Sequence, residues 1–447
     1  MQKNMKISRV FHLQQLIRPS SPTPFHLKEH KLSFIDEMIP HSYFPLILYY
    51  SSTTKTTNQE EIKLISQGLR NSLSDTLTEF YPLAGRIKGQ TSIDCNDEGI
   101  YYSEARIDIC LSDLIKSQDL AVIDELVPCK SNGNVSDEKE MVRVQVTFFD
   151  CGGLAIGICQ SHRIGDGCTL STFIKSWASK SCSTFLQTNL MTMMISPVFN
   201  SANIFPPKGS PDFRPNPKPI SLQPPIDQKV VNKHFIFDPS LIHILKKRVL
   251  NQFPADEIEN PSRLEIISAL IWKSWMVALN IQDSIAFHPV NLRGKIIPSL
   301  SKYSFGNLFQ MAKGIIKGTE LESTNWISLV EKLRAGIRKI DKEYGQKLVG
   351  ENGSEISRTN MMQIAQALYM GDVDIIKFSS WGAFQLYKVD FGWGNPIWVS
   401  TASHSCKNMV NMFDSSCGGI EAWIAMVDNE MPKFEKALKE LLQVYTI

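Results

Sequence analysis

Residues 161–167 read Ser161-His162-Arg163-Ile164-Gly165-Asp166-Gly167. A histidine titrates near pH 6.5, so at neutral pH it can take a proton from a hydroxyl or amine and later return it. Asp166, four residues on, could bond the imidazole or serve the backbone. The two glycines allow a tight turn. A histidine in a loop is also a common structural residue, and both readings stand at this point. A metal site is the weaker reading, because no third ligand lies nearby. Gly152, Gly153 and Gly157 do not follow the order of a phosphate-cradling loop, and no P-loop lysine follows them. Of the other histidines, His26, His30 and His41 lie in a Pro- and Ser-rich region. His12, His234, His243, His288 and His404 have no acidic partner at a telling spacing, so core or surface roles suit them. A second run, Asp390-Phe391-Gly392-Trp393-Gly394, joins an aspartate to two aromatics and two glycines. That mixture fixes a bend rather than moving a proton.

His162 needs a rigid element behind it. Arg143 to Phe149 alternates like a strand, Asp150-Cys151-Gly152-Gly153 is a turn, and Leu154 to Cys159 is a second, wholly apolar strand. Leu170, Phe173, Ile174 and Trp177 then give a helix with one apolar face. The histidine therefore sits at the C-terminal end of a strand, just before a helix. Elsewhere, Thr57 and Glu60 form a capping-box pattern ahead of a helical run that Pro82 ends. Ser262 and Glu265 form another, before an apolar and hence buried helix from Leu264 to Met276. Trp326 to Ile340 and Phe434 to Leu442 carry helical spacing, with Pro432 in the first turn of the latter.

The 447 residues exceed one small domain. Nine prolines between Pro197 and Pro225 mark an extended connector near the middle. This gives a domain over 1–200, a connector over 201–226 and a domain over 227–447. The connector and the glycine-bearing stretch 345–365 read as mobile. Apolar residues at 43% and a net charge of +2 describe a packed chain without the basic excess of a nucleic-acid or membrane-surface binder. Nine cysteines with no CxxC pair suggest reduced, mostly buried thiols rather than a disulfide framework or a zinc site. Met1 to Arg18 lacks an apolar signal-peptide core, and no apolar run spans a bilayer, so the expected address is cytoplasmic. Interleaved strands and helices in both halves indicate an α/β architecture.

The His162-x-x-x-Asp166-Gly167 and Asp390-Phe391-Gly392-Trp393-Gly394 runs, in this order, resemble the two signatures of the plant BAHD acyltransferase family. Further segments carry the likeness along nearly the whole chain. They include Pro19-Ser20-Ser21-Pro22-Thr23-Pro24, Phe80-Tyr81-Pro82-Leu83-Ala84-Gly85-Arg86, Asp94-Cys95-Asn96-Asp97, Asn291-Leu292-Arg293 and Ser304-Phe305-Gly306-Asn307. Their wording is most similar to the alkaloid acetyltransferase branch. Arg163-Ile164-Gly165 and Asn395 depart from the family's frequent residues, which bears on substrates rather than on the reaction.

The resemblance implies two similar domains like chloramphenicol acetyltransferase, each of mixed sheet plus helices, with a channel between them. A segment of about 389–418 would complete the first domain. It implies acyl transfer from acyl-CoA, with acetyl-CoA as donor and a hydroxyl of an alkaloid or other plant specialised metabolite as acceptor. No metal or permanently bound cofactor takes part, and the protein would be a monomer with no nucleic-acid or membrane partner. His162 becomes the general base and Asn307 an oxyanion donor or a positioning group. Asp166 becomes structural, paired with Arg293, and Asp390 to Gly394 shape the channel wall. Ser262, Arg263 and Ser380 fall to CoA binding. Malonyl or another donor, N-acylation of an amine, and a non-catalytic binding member of the same fold are the alternatives.

Overall fold

The structure is a computed structural model. It describes residues 9–51, 59–129, 140–186, 195–209, 228–252, 260–318, 325–370 and 373–446. Most of the Pro-rich connector (210–227) and Thr57 lie outside these residues. Among them the strands are β1 (Arg9–Ile17), β2 (Glu29–Lys31), β3 (Tyr43–Tyr50), β4 (Arg86–Lys88), β5 (Ser92–Asp94), β6 (Ile100–Ile107), β7 (Val142–Phe149) and β8 (Leu154–Ser161). They continue with β9 (Val230–Phe237), β10 (Ser284–Asn291), β11 (Phe309–Ile316), β12 (Asp374–Ser380), β13 (Trp398–Ser400), β14 (Met409–Asp414) and β15 (Ile420–Val427). Two compact units form. The first takes Met1–Phe213, Ser299–Leu308 and Phe384–Ala402; the second takes Arg214–Pro298, Phe309–Ala383 and Ser403–Ile447.

The first unit holds a six-stranded sheet in the order β1-β6-β7-β8-β3-β13 and a small sheet β2-β5-β4. β6 and β7 run parallel, while β7, β8 and β3 are antiparallel neighbours. The alternating residues of β7 do form a strand, and it is buried almost throughout. Its polar residues are satisfied inside: Gln145 Nε2 donates to the Glu125 carbonyl at 2.7 Å and to Thr147 Oγ1 at 3.0 Å. The β7–β8 turn closes on Gly152 at φ +84°, a conformation that favours glycine. β8 is buried at every position, as a central strand between β7 and β3 must be. The helices Gln59–Glu79 and Gly167–Leu186 pack together, with Trp177 Nε1 donating to the Leu69 carbonyl at 3.1 Å.

Two cysteine expectations are corrected. Cys129 and Cys159 form a disulfide with their Cα atoms 6.3 Å apart. Gly157 leaves room for the Leu126 backbone to lie against β8, which carries Cys129 up to the strand. Of the seven free thiols only Cys95 and Cys406 are buried, whereas Cys110, Cys151 and Cys417 are exposed. The returning segment also differs in extent. The first unit takes 384–402, and β13 pairs with β3. Met409–Asp414 instead hydrogen-bonds to β12 and β15 in the second unit.

The second unit holds the sheet β11-β10-β12-β14-β15-β9, again mixed, with β12 parallel to both β10 and β14. The helix Arg263–Leu279 opens on the predicted capping box: Glu265 N donates to Ser262 Oγ at 3.1 Å and Ser262 N to Glu265 Oε2 at 2.7 Å. Trp272 and Trp275 from this helix join Trp326, from the helix Trp326–Arg338, in one apolar core. The stretch read as mobile is helical instead, Lys342–Val349 then Gly353–Met370. Asp341 caps the first of these through Tyr344 N at 2.9 Å, and Gly345 permits close approach to the Ile296 carbonyl. His234 does have an acidic partner, Glu421 at 2.9 Å, brought beside it by the β9–β15 register. Among the described residues, no helix is long and apolar enough to cross a membrane.

Candidate active site

His162 follows directly on β8, so a strand buried at every position sets its place. Its backbone N donates to the Ser42 carbonyl at 2.7 Å, and the Phe44 ring packs edge-on with centroids 4.9 Å apart. Gln160 Nε2 donates to the Gly165 carbonyl at 2.9 Å and pins the loop behind it. Gly165 is needed for space rather than for an unusual φ, because a Cβ there would press on the Thr169 side chain. Desolvation draws the His162 pKa below the ordinary 6.5, and a hydrogen bond to its own backbone carbonyl, the charge of Asp166 and the contact with Asn307 draw it partly back. A lowered pKa keeps the ring neutral, which is the state that accepts a proton.

Asp166 does not take the imidazole. It ends the loop and opens the helix Gly167–Leu186 as its cap, with Oδ1 accepting from Thr169 N at 2.9 Å. Oδ2 accepts from Leu308 N at 3.0 Å. The carboxylate thus ties the His162 loop to the short segment 299–308 within the same unit. Thr169 strengthens the tie, its hydroxyl donating to the Gly306 carbonyl at 2.9 Å and accepting from Gly306 N at 3.2 Å.

That segment brings the imidazole its partner. Asn307 Oδ1 lies 3.0 Å from His162 Nδ1. The amide Nδ2 donates to the His162 carbonyl at 2.7 Å and to Asp36 Oδ1 at 2.8 Å. Both amide hydrogens are thus directed at fixed acceptors within the protein. Asp36 was not singled out by any motif. Ser33 and Asp36 do have the spacing of a capping box, and they form one at the helix Phe34–Met38.

The second run builds a turn, as its composition suggests. Asp390 Oδ1 accepts from Gly392 N at 2.7 Å and Gly394 N at 2.8 Å. Both glycines have positive φ, +112° and +106°. Phe391 is fully buried against Trp177 with centroids 4.9 Å apart, and its carbonyl accepts from Ser181 Oγ at 2.9 Å. Trp393 packs on Phe185 and Phe391. The run therefore clamps the helix Gly167–Leu186, which Asp166 caps.

The remaining expected residues lie in the second unit. Arg293 is nearly buried after β10, its N and Nη1 both 3.1 Å from Asn291 Oδ1. Ser262 caps its helix, and exposed Arg263 donates to Asp414 Oδ1 at 3.0 Å and to the Gly418 carbonyl. Ser380 ends β12 opposite Met412 of β14, the strand that ends at Asp414. These three side chains share one end of the second sheet.

The model of the Transferase family matches residues 10–441. A limonoid 7-O-acetyltransferase of Citrus sinensis is 34% identical, with 97% of each chain covered. Stemmadenine O-acetyltransferase of Catharanthus roseus is 33% identical over 96% of each chain. Among solved structures, vinorine synthase superposes with a TM-score of 0.78 at 29% identity, covering 95% of this chain and 96% of its own.

Proposed function

This chain belongs to the Transferase family, the BAHD acyltransferases, and on that premise we propose that it moves an acetyl group from acetyl-CoA to a hydroxyl of a plant specialised metabolite. The observation that carries the reading is the engagement of His162 Nδ1 by Asn307 Oδ1 at 3.0 Å, on a loop fixed by β8 and Asp166. Nε2 is then the nitrogen that does the chemistry. An alcohol attacks poorly while protonated. Nε2 takes the hydroxyl proton as the oxygen attacks the thioester carbon, an assistance worth roughly 10²–10⁴-fold. The tetrahedral intermediate collapses, the carbon–sulfur bond breaks, and the imidazolium returns the proton to the leaving thiolate. The products are the ester and CoA, and His162 ends as it began.

Acetyl as the donated group is supported by the relatives, named O-acetyltransferases. Their acceptors include an alkaloid, stemmadenine, and limonoids, so an alkaloid acceptor and a terpenoid one are the two readings carried forward. For the donor we assign Ser262, Arg263 and Ser380, a basic and hydroxyl-bearing group suited to an anionic nucleotide tail. In this reading the chain works as a cytoplasmic monomer with acyl-CoA as co-substrate and no resident cofactor. The test incubates the purified protein with acetyl-CoA and panels of hydroxylated alkaloids and limonoids, with malonyl-CoA in parallel. Products heavier by one acetyl group are expected. Gain of malonyl alone, or acylation of amines alone, would overturn the choice of donor or of acceptor group.

A further inference from the structure

The hydrogen bonds behind His162 lead to a carboxylate. Asp36 is 1% exposed, on the helix Phe34–Met38. Its Oδ2 accepts from Ser33 N at 2.9 Å and from Ser33 Oγ at 2.6 Å. Its Oδ1 accepts from Asn307 N at 2.6 Å and from Asn307 Nδ2 at 2.8 Å. Four donors converge on two oxygens, the arrangement that an ionised carboxylate needs when buried. Burial raises the Asp36 pKa above the ordinary carboxylate value, and these same four bonds draw it partly back. Gly306 makes the approach possible: it adopts φ +120°, and a Cβ there would lie 3.3 Å from Asp36 Oδ2.

The consequence falls on the side chain of Asn307. An amide has a donor end and an acceptor end, and here the donor end faces two acceptors, Asp36 Oδ1 and the His162 carbonyl. Turning the amide over would set its oxygen against two oxygens. Its oxygen must therefore face the imidazole, and an oxygen can only accept. Nδ1 of His162, at 3.0 Å, must carry the hydrogen, and Nε2 must hold the lone pair.

We propose that Asp36 is a positioning residue for acyl transfer, which acts through Asn307 to hold the His162 imidazole in the tautomer with hydrogen on Nδ1 and Nε2 as the proton acceptor. The inference rests on the reading of His162 as the base. When Nε2 takes the hydroxyl proton, the imidazolium's Nδ1–H hydrogen bond to Asn307 strengthens, and the Asp36 charge favours the cation across the amide. Asp36 itself gains no proton at any step. The arrangement places an amide where a catalytic triad has the carboxylate directly on the ring. The charge therefore stands farther away, and orientation is the larger part of its effect.

The test is nitrogen NMR on the full chain with ¹⁵N-labelled histidine, His162 being assigned by the signals lost in His162→Ala. In the unaltered protein, above the titration of the ring, His162 is expected with a protonated Nδ1 and an unprotonated Nε2. A dominant Nε2–H form would overturn the proposal, and this arm needs no variant that might fail to fold. In Asp36→Asn the two tautomers should mix, with kcat falling about 10²-fold and KM for acetyl-CoA within about threefold of the original. Unchanged kcat, or an unchanged tautomer in a folded Asp36→Asn, would equally overturn it. The tautomer is read without turnover. An active enzyme with the wrong tautomer sinks this proposal and leaves the acyltransferase reading standing, whereas a chain that acetylates nothing sinks that reading and with it any part for Asp36 in acyl transfer.

Discussion

Two turns in the first unit use the same device for different ends. In each, an aspartate accepts from two backbone N–H groups: Asp166 from Thr169 and Leu308, Asp390 from Gly392 and Gly394. Asp390 closes a local loop of five residues, and what the loop presents is apolar, Phe391 and Trp393 packed on the helix Gly167–Leu186. Asp166 reaches across to a segment distant in sequence, and its loop presents a titratable ring with an amide partner. An aspartate beside a histidine thus does no proton chemistry itself. It sets the distance between the strand that carries His162 and the segment that carries Asn307.

The comparison can be broken by substitution. Asp166→Ala should have the largest effect of the pair: two N–H groups lose their acceptor, at about 1–3 kcal/mol each, and the register of Asn307 on His162 loosens. Thermal unfolding should show the destabilisation, and kcat should fall at least about tenfold in the protein that remains folded. Asp390→Ala should destabilise as well while keeping kcat within about threefold. An equal loss of kcat from both, at matched stability, would erase the distinction. Gly392→Ala sharpens it further. Its φ of +112° and a Cβ only 2.9 Å from the Phe185 Cβ predict a loss of about 1–3 kcal/mol, read by denaturant midpoint, with turnover per folded molecule retained. The smallest effect is on pH. The His162 pKa is lowered, so the ring stays neutral, and active, below pH 6.5. The acid limb of kcat/KM should therefore bend below that value; a bend above pH 7 would contradict the burial argument.

Much of this was legible in sequence. The strand before His162, the capping box at Ser262 and the bend at Asp390 each depend on residues within a few positions of one another, and local patterns report local forces. The partners of His162 were not legible in that way. Asn307 and Asp36 come to it through tertiary contacts from opposite ends of a 271-residue separation, and no periodicity encodes such a meeting. His234 and Glu421 teach the same lesson, since only the β9–β15 register places them together. The burial of Gln145 and Thr147 in β7 was also hidden, because polar side chains that find internal partners look, in sequence, like those that face water. The helices over 345–365 misled for the opposite reason: Gly345 and Gly353 sit where a Cβ would meet backbone, so they serve close approach rather than freedom.

The central claim is that His162 takes the acceptor's proton, and single-turnover acetyl transfer by His162→Ala tests it most directly. Acetyl-CoA is bound in excess, a hydroxylated acceptor that the unaltered enzyme acetylates is added, and release of CoA is timed. The account predicts a rate lower by roughly 10²–10⁴-fold with acetyl-CoA affinity and melting temperature little changed. A rate equal to that of the unaltered enzyme would contradict it.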